Sequence, residues 1–394
     1  MLNRKSIFLL IYCWSFSVLC ASKDNPYEGL SPILKDSLIE YRIDSIRKTF
    51  ESIGLYAVAV NNSKIVYSKS FGYNPDYSDP TKRDPIRSDD LFLIASVSKT
   101  FVGTAIMQLV KKKKLSLDDD VNMYLDYSVR NPRYPLQPIT IRMLLCHRSG
   151  LKRNSPFDNF LNVLKSGDKD KLTDLFEDFA PNTKLSYSNI GFDLLGAVIE
   201  NITNIRFDDY IEKKILKPLG INGGYDILRM DSTRFVRTYS YKNDRFVNTN
   251  PIYWKKKVQK EDYKLGYSTT VLWPAGGMVI SATDLAKYMI AHINKGKLKG
   301  RKRILRKRSE EMLWEKQAGS NHGLSFVHFT TTLPDIELIG MTGGAYGIHS
   351  AMLFNPEKKI GFVVICNGCT SKSADGMEMN KKIMSELYLA YCAE

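Results

Sequence analysis

Strand-like runs crowd both ends of this 394-residue chain while its middle is helical, so a sheet has to be assembled from segments far apart in sequence. Near the N-terminus, residues 55–60 and 64–71 are rich in Val, Ile, Ala and Tyr, and Asn61-Asn62 makes a hairpin turn between them. The pattern returns at residues 324–331, 336–341, 351–354 and 360–366. Helical patterns occupy residues 31–53, 96–113, 189–200, 207–216, 282–295, 306–316 and 376–390. Residues 74–90 form a loop rich in Pro and Asp, and residues 225–267 are polar and irregular, a loop or lid. The expected fold is α/β (α+β): one mainly antiparallel sheet built from both chain ends, flanked by helices, with a mainly helical middle lobe at about 105–320. A cleft is expected between the lobes, with the start of the 96–113 helix near it.

The termini and the charge narrow the setting. Arg4 and Lys5 precede an apolar run at 7–19, followed by Ala21 and Ser22, the pattern of a secretory signal peptide. The expectation is a removed leader at 1–22, a single exported domain at 23–394, and a periplasmic, extracellular or secretory-pathway location. The net charge of +15 is spread along the chain, densest at 111–114 and 295–308, and no nucleic-acid motif accompanies it. Nucleic acid is therefore not an expected partner, and the basic stretches suggest at most loose association with an anionic surface. Cys366-Asn-Gly-Cys369 follows an apolar run without a second pair or a His cluster, so it reads as a strand end rather than a metal site.

The chemistry begins with Ser96-Val-Ser-Lys99. One helical turn puts Ser and Lys on one face. A neutral Lys amine can take the hydroxyl proton as Ser96 attacks a carbonyl, provided burial or a nearby cation lowers its pKa. The spacing S-x-x-K also starts at Ser45, Ser149 and Ser166, but only Ser96 lies between an apolar run and a strongly apolar helix. Tyr187-Ser-Asn189 precedes a clean helix, where Tyr187 can relay a proton and Asn189 can hold an amide or the Lys ammonium. Tyr241-Lys-Asn243 has the same spacing in the irregular region. Met341-Thr342-Gly343-Gly344 ends a strand-like run, and the Gly344 N–H can serve, with that of Ser96, as an oxyanion donor.

These segments resemble the class C β-lactamase and D-alanyl-D-alanine carboxypeptidase superfamily, including its esterase branch. The resemblance rests on Ile94 to Phe101, Lys114 to Val121, the Thr-Ile-Arg-Met-Leu-Leu-Cys-His-Arg-Ser-Gly-Leu run ending at Leu151, Tyr187 to Gly196, Lys217 to Ile221, and Pro274 to Ala286, in order over roughly residues 30–370. It implies acyl-enzyme chemistry with Ser96 as nucleophile, Lys99 and Tyr187 sharing the proton work, Asn189, Thr342 and Gly343 positioning substrate, and the N–H groups of Ser96 and Gly344 as the oxyanion hole. It implies no metal and no organic cofactor, and a small-molecule or peptide substrate bearing an ester, amide or lactam.

One departure matters. The superfamily's third motif starts with Lys or His, and here that position is Met341. Lys165-Ser-Gly167 precedes the Tyr motif and is out of order for the role, and His349 reads as a strand-surface residue. His147 and Ser149, two apart, read as a structural turn rather than a dyad. Loss of the cation tilts the reading toward an esterase or peptidase. The alternative is a catalytically impaired descendant acting as a binding or scaffold module.

Overall fold

The computed structural model describes residues 25–75, 83–249, 262–370 and 373–393, with side chains of the last helix described from 376 onward. The expected leader at 1–22 lies outside the described residues. The main sheet has six strands: β1 (Gly54–Asn61), β2 (Lys64–Gly72), β3 (Val327–Leu333), β4 (Ile336–Ala345), β5 (Ile348–Asn355) and β6 (Ile360–Cys366). Their order is β3-β4-β5-β6-β1-β2, and every pairing is antiparallel. The two chain ends meet where β1 pairs β6, with Leu55 opposite Cys366 and Val60 opposite Gly361.

The centre of the sheet is apolar on both faces because both are covered. Leu55, Ala57 and Ala59 point to a core shared with α1 (Pro32–Thr49) and the C-terminal helix (Ser373–Tyr391), through Ile39, Ile43, Met379, Ile383 and Leu387. Tyr56, Val58 and Val60 point to the larger core under the helical lobe. This alternation is the period-two geometry of a strand, and each fully buried aliphatic side chain contributes about 1.5–3 kcal/mol. Ser31 caps α1, accepting from the Leu34 N–H, with Pro32 at the first helical position.

The helical lobe carries α2 (Lys99–Lys111), α3 (Ile141–Leu145) and α4 (Asn189–Thr203). Among the described residues no helix is long and apolar enough to cross a membrane. Among the described residues Cys146, Cys366 and Cys392 form no disulfide, and the Cys366 and Cys369 side chains hydrogen-bond each other.

Several expectations shift. The hairpin turn falls on Asn62-Ser63, both with positive φ, one residue beyond the expected Asn61-Asn62. The 96–113 helix opens with a 3₁₀ turn, Ala95–Ser98, before α2 begins. Only Phe92–Leu93 of the apolar run before it is a strand, and it belongs to a separate small sheet with Val279–Ile280 and Gly223–Gly224. The run expected to end at Met341 continues through the glycines to Ala345. Part of the irregular 225–267 region is a hairpin, Tyr239–Lys242 with Arg245–Asn248.

Candidate active site

Ser96 lies in the tight turn that joins the small sheet to α2. Ala95 just before it has a φ of 45°, a left-handed conformation that costs an L-residue about 1–2 kcal/mol. The surroundings over-determine it. The Ile94 carbonyl accepts from Ser350 Oγ at 2.7 Å, and the Ile94 N–H donates to the Met278 carbonyl at 3.0 Å. Gly343 on β4 closes against the same turn: a Cβ there would lie 2.5 Å from the Ile94 oxygen and 2.9 Å from the Ser96 nitrogen. A glycine is required at this close approach.

One helical turn on, Lys99 is fully buried. Its Nζ donates to Asn189 Oδ1 and to the Ala275 carbonyl, each at 2.7 Å, and stands 3.2 Å from Ser96 Oγ. In the neutral amine the two N–H groups serve Asn189 and Ala275, which leaves the lone pair for the Ser96 hydroxyl. Burial pulls the amine down to about 7; the Asp193 carboxylate opposes this and the Arg153 guanidinium adds to it. Asp193 also accepts from the Ala275 N–H at 2.9 Å, so one carboxylate holds the loop whose carbonyl receives Lys99.

The second group of residues straddles the start of α4. Ser188 is the N-cap: its Oγ accepts from the Gly191 N–H at 3.1 Å and donates to the Lys152 carbonyl at 2.9 Å. This cap places Tyr187 outside the helix and Asn189 on its first turn, both facing Lys99. The Tyr187 hydroxyl hydrogen-bonds Ser96, and burial pushes it up to about 12. At that value the phenol stays protonated at neutral pH and can act as a donor. Lys99 Nζ is 4.9 Å from the Tyr187 ring centroid. Gly196 in α4 lets the 269–275 segment pack close, since a Cβ there would lie 2.6 Å from Pro274 Cγ.

His147, read from sequence as a structural turn, proves to belong to this neighbourhood. Its ring lies 4.2 Å from that of Tyr187, and its Nδ1 accepts from the Ser188 N–H at 3.1 Å. Burial holds it well below the usual imidazole range, so it packs as a neutral ring. Ser149 is buried, its Oγ accepting from the Leu151 N–H, and Ser149 is no nucleophile candidate. His349 faces the other side of the sheet: a Cβ at Gly376 of the last helix would lie 2.3 Å from its ring.

Of the third motif, Gly343 reaches the Ser96 turn and Gly344 is exposed beside it. Thr342 occupies the alternate pleat position, in register with Ala351. Met341 is buried, in register with Met352, and packs in the core cluster that includes Val97 and Phe101. An apolar thioether therefore stands where the resemblance expects a cation.

A cavity of about 460 Å³ is lined by Asn189, Asp193, Asn154, Phe157, Trp273 and Tyr346 among others, and it meets the Ser96–Lys99 pair through Asn189, the partner of Lys99, rather than through the pair itself. Trp273 and Tyr346 meet edge to face at 5.9 Å. Among the described residues no group of three or more His, Cys, Asp or Glu side chains is arranged to hold a metal ion. The arrangement brings together a serine hydroxyl, a buried lysine amine pulled down to about 7 and a protonated phenol.

Comparison with known proteins bears on the family and the fold. The family described as Beta-lactamase matches residues 43–382. "Protein flp" of Staphylococcus aureus (strain N315) is 27% identical over 326 residues, 80% of this chain and 59% of its own. The chain thus spans little more than half the length of that relative. Among solved structures, the octameric penicillin-binding protein homologue from Pyrococcus abyssi has a TM-score of 0.68 at 24% identity, covering 90% of this chain and 80% of that one. The D-amino acid amidase from Ochrobactrum anthropi SV3, complexed with D-phenylalanine, has a TM-score of 0.67 at 20% identity, covering 89% of this chain and 98% of its own.

Proposed function

The chain belongs to the beta-lactamase family, and from that premise we propose that it is an exported serine hydrolase that cleaves an ester, amide or lactam through an acyl-Ser96 intermediate. The observation that carries the reading is Lys99: buried, pulled down to about 7, and with its amine 3.2 Å from Ser96 Oγ. Lys99 takes the Ser96 proton as Oγ bonds to the carbonyl carbon. The oxyanion forms against the N–H groups of Ser96 and Gly344. The Tyr187 hydroxyl then delivers a proton to the departing oxygen or nitrogen as its bond to carbon breaks. Water hydrolyses the acyl-enzyme by the same route in reverse.

Met341 removes the strand-borne cation, which tilts the substrate away from penicillins and toward esters and peptide-like amides. The relative described as a D-amino acid amidase makes an amide a reasonable member of that class. Export rests on the sequence of residues 1–22. A scaffold role is the weaker reading, because Ser96, Lys99, Tyr187 and Asn189 are all present and assembled. The test is burst kinetics with a p-nitrophenyl ester. A stoichiometric burst in the parent protein that Ser96→Ala abolishes is expected; turnover retained by Ser96→Ala would overturn the mechanism.

A further inference from the structure

With Met341 apolar, no cation reaches Ser96 from β4, yet a cation stands at the site from another direction. Arg153 Cζ lies 5.2 Å from the centroid of the Tyr187 ring, the ring that Lys99 also approaches. The segment bearing it is tied to the second motif at three successive residues. Ser188 Oγ donates to the Lys152 carbonyl at 2.9 Å, the Asn189 N–H to the Arg153 carbonyl at 2.8 Å, and Asn189 Nδ2 to Asn154 Oδ1 at 2.6 Å. Arg153 itself is exposed, and among the described residues no carboxylate pairs with its guanidinium. A fixed backbone, an aromatic platform and an unpaired fork of N–H donors make an anion receptor.

We propose that Arg153 is the anion subsite of this protein and receives a carboxylate carried on the leaving group of the substrate. The proposal rests on the acyl-Ser96 reading. The side follows from Tyr187, whose hydroxyl bonds Ser96 and which, on the acyl-Ser96 reading, protonates the atom that departs. A carboxylate a few bonds beyond that atom meets the guanidinium over the same ring. In the step itself the Oγ–carbonyl bond forms, the bond to the leaving oxygen or nitrogen breaks, and the Ser96 proton ends on the leaving atom by way of Lys99 and Tyr187. Arg153 keeps its charge throughout and acts on binding and orientation. The chain has thereby moved its anion-recognising cation from the strand to the segment after α3, which makes Arg153 a specificity determinant.

The experiment compares kcat/KM for m-carboxyphenyl acetate and m-carbamoylphenyl acetate, each divided by its alkaline hydrolysis rate. The proteins are the parent chain, Arg153→Gln and Arg153→Lys at one pH. The ratio within each protein cancels any effect of Arg153 on Lys99. The parent is expected to favour the anionic ester by roughly tenfold, the order of a charge-assisted hydrogen-bonded contact. Arg153→Gln should bring the ratio to about one, mainly through KM of the anionic ester, and Arg153→Lys should retain part of it. A parent without preference, or a ratio unchanged in Arg153→Gln, overturns the subsite. An Arg153-dependent preference seen only with the charge on the acyl side, in p-nitrophenyl hemiglutarate against p-nitrophenyl valerate, overturns the leaving-group assignment. Failure of every ester to acylate the parent overturns the acyl-enzyme reading itself, a result distinct from equal turnover of the pair.

Discussion

Lys99 holds its amine 3.2 Å from Ser96 Oγ while both of its other directions are taken at 2.7 Å by Asn189 Oδ1 and the Ala275 carbonyl. The geometry commits the remaining position of the nitrogen to the serine. Substituting either residue should therefore impair acylation severely without unfolding the chain. Ser96→Ala is expected to lose it entirely and Lys99→Ala to lose about 10²–10⁴-fold, the range of a positioned base. Burst kinetics beside thermal melts check both, and a Lys99→Ala variant that acylates normally would remove Lys99 from the mechanism.

The pH dependence has a definite sign. Lys99 acts as a base only when neutral, and its amine sits at about 7. The acylation rate should rise with pH through that value and fall roughly tenfold per unit below it. A profile flat from pH 5 to 9 would contradict the assignment of the base.

The same shift appears in stability. The unfolded chain binds the Lys99 proton up to about pH 10.4, whereas the folded chain holds it only below about 7. Between those values the unfolded state carries more protons, so this group makes stability rise with pH across the window. Lys99→Met removes that contribution. Urea midpoints at pH 7 and pH 9 should therefore show Lys99→Met gaining on the parent more at pH 7 than at pH 9.

Tyr187→Phe tests the proton relay while keeping the ring against His147 and Lys99. Acylation should fall by about 10²–10⁴-fold with little change in melting temperature. Equal loss of stability and activity would assign Tyr187 to packing instead.

Gly343→Ala probes the join between sheet and nucleophile turn. The added Cβ meets Ile94 O and Ser96 N inside contact distance. The expected cost is about 1–3 kcal/mol, with acylation impaired because the Ser96 turn must shift. Met341→Leu, a volume-conserving change in the core, should cost less than about 1.5 kcal/mol. Chemical denaturation of both variants separates the two positions.

The sheet was legible in the sequence because its central strands are near-continuous apolar runs, such as Ile360 to Cys366, at opposite ends of the chain. The Ser96–Lys99 and Tyr187–Asn189 pairs were legible because local spacing and helix context select them. What stayed hidden depends on tertiary contact. The 3₁₀ turn at Ala95 is imposed by Gly343 and Ser350, which come from distant strands. His147 joins the site only because α3 packs beside α4, bringing its ring onto Tyr187. Arg153 has no motif at all, and its role emerges from three hydrogen bonds to residues 188 and 189. His349 alternates to the wrong face of the sheet, a register fact that composition does not carry.

The central claim is a covalent acyl-Ser96 intermediate, and intact-mass spectrometry tests it most directly. The protein is incubated with a p-nitrophenyl ester and, separately, with a penicillin, beside Ser96→Ala. The account predicts a single acyl adduct from the ester that maps to the Ser96 peptide, is absent from Ser96→Ala, and forms more readily than any penicillin adduct. No adduct with either reagent and no released nitrophenol, or an adduct that persists in Ser96→Ala, would contradict it.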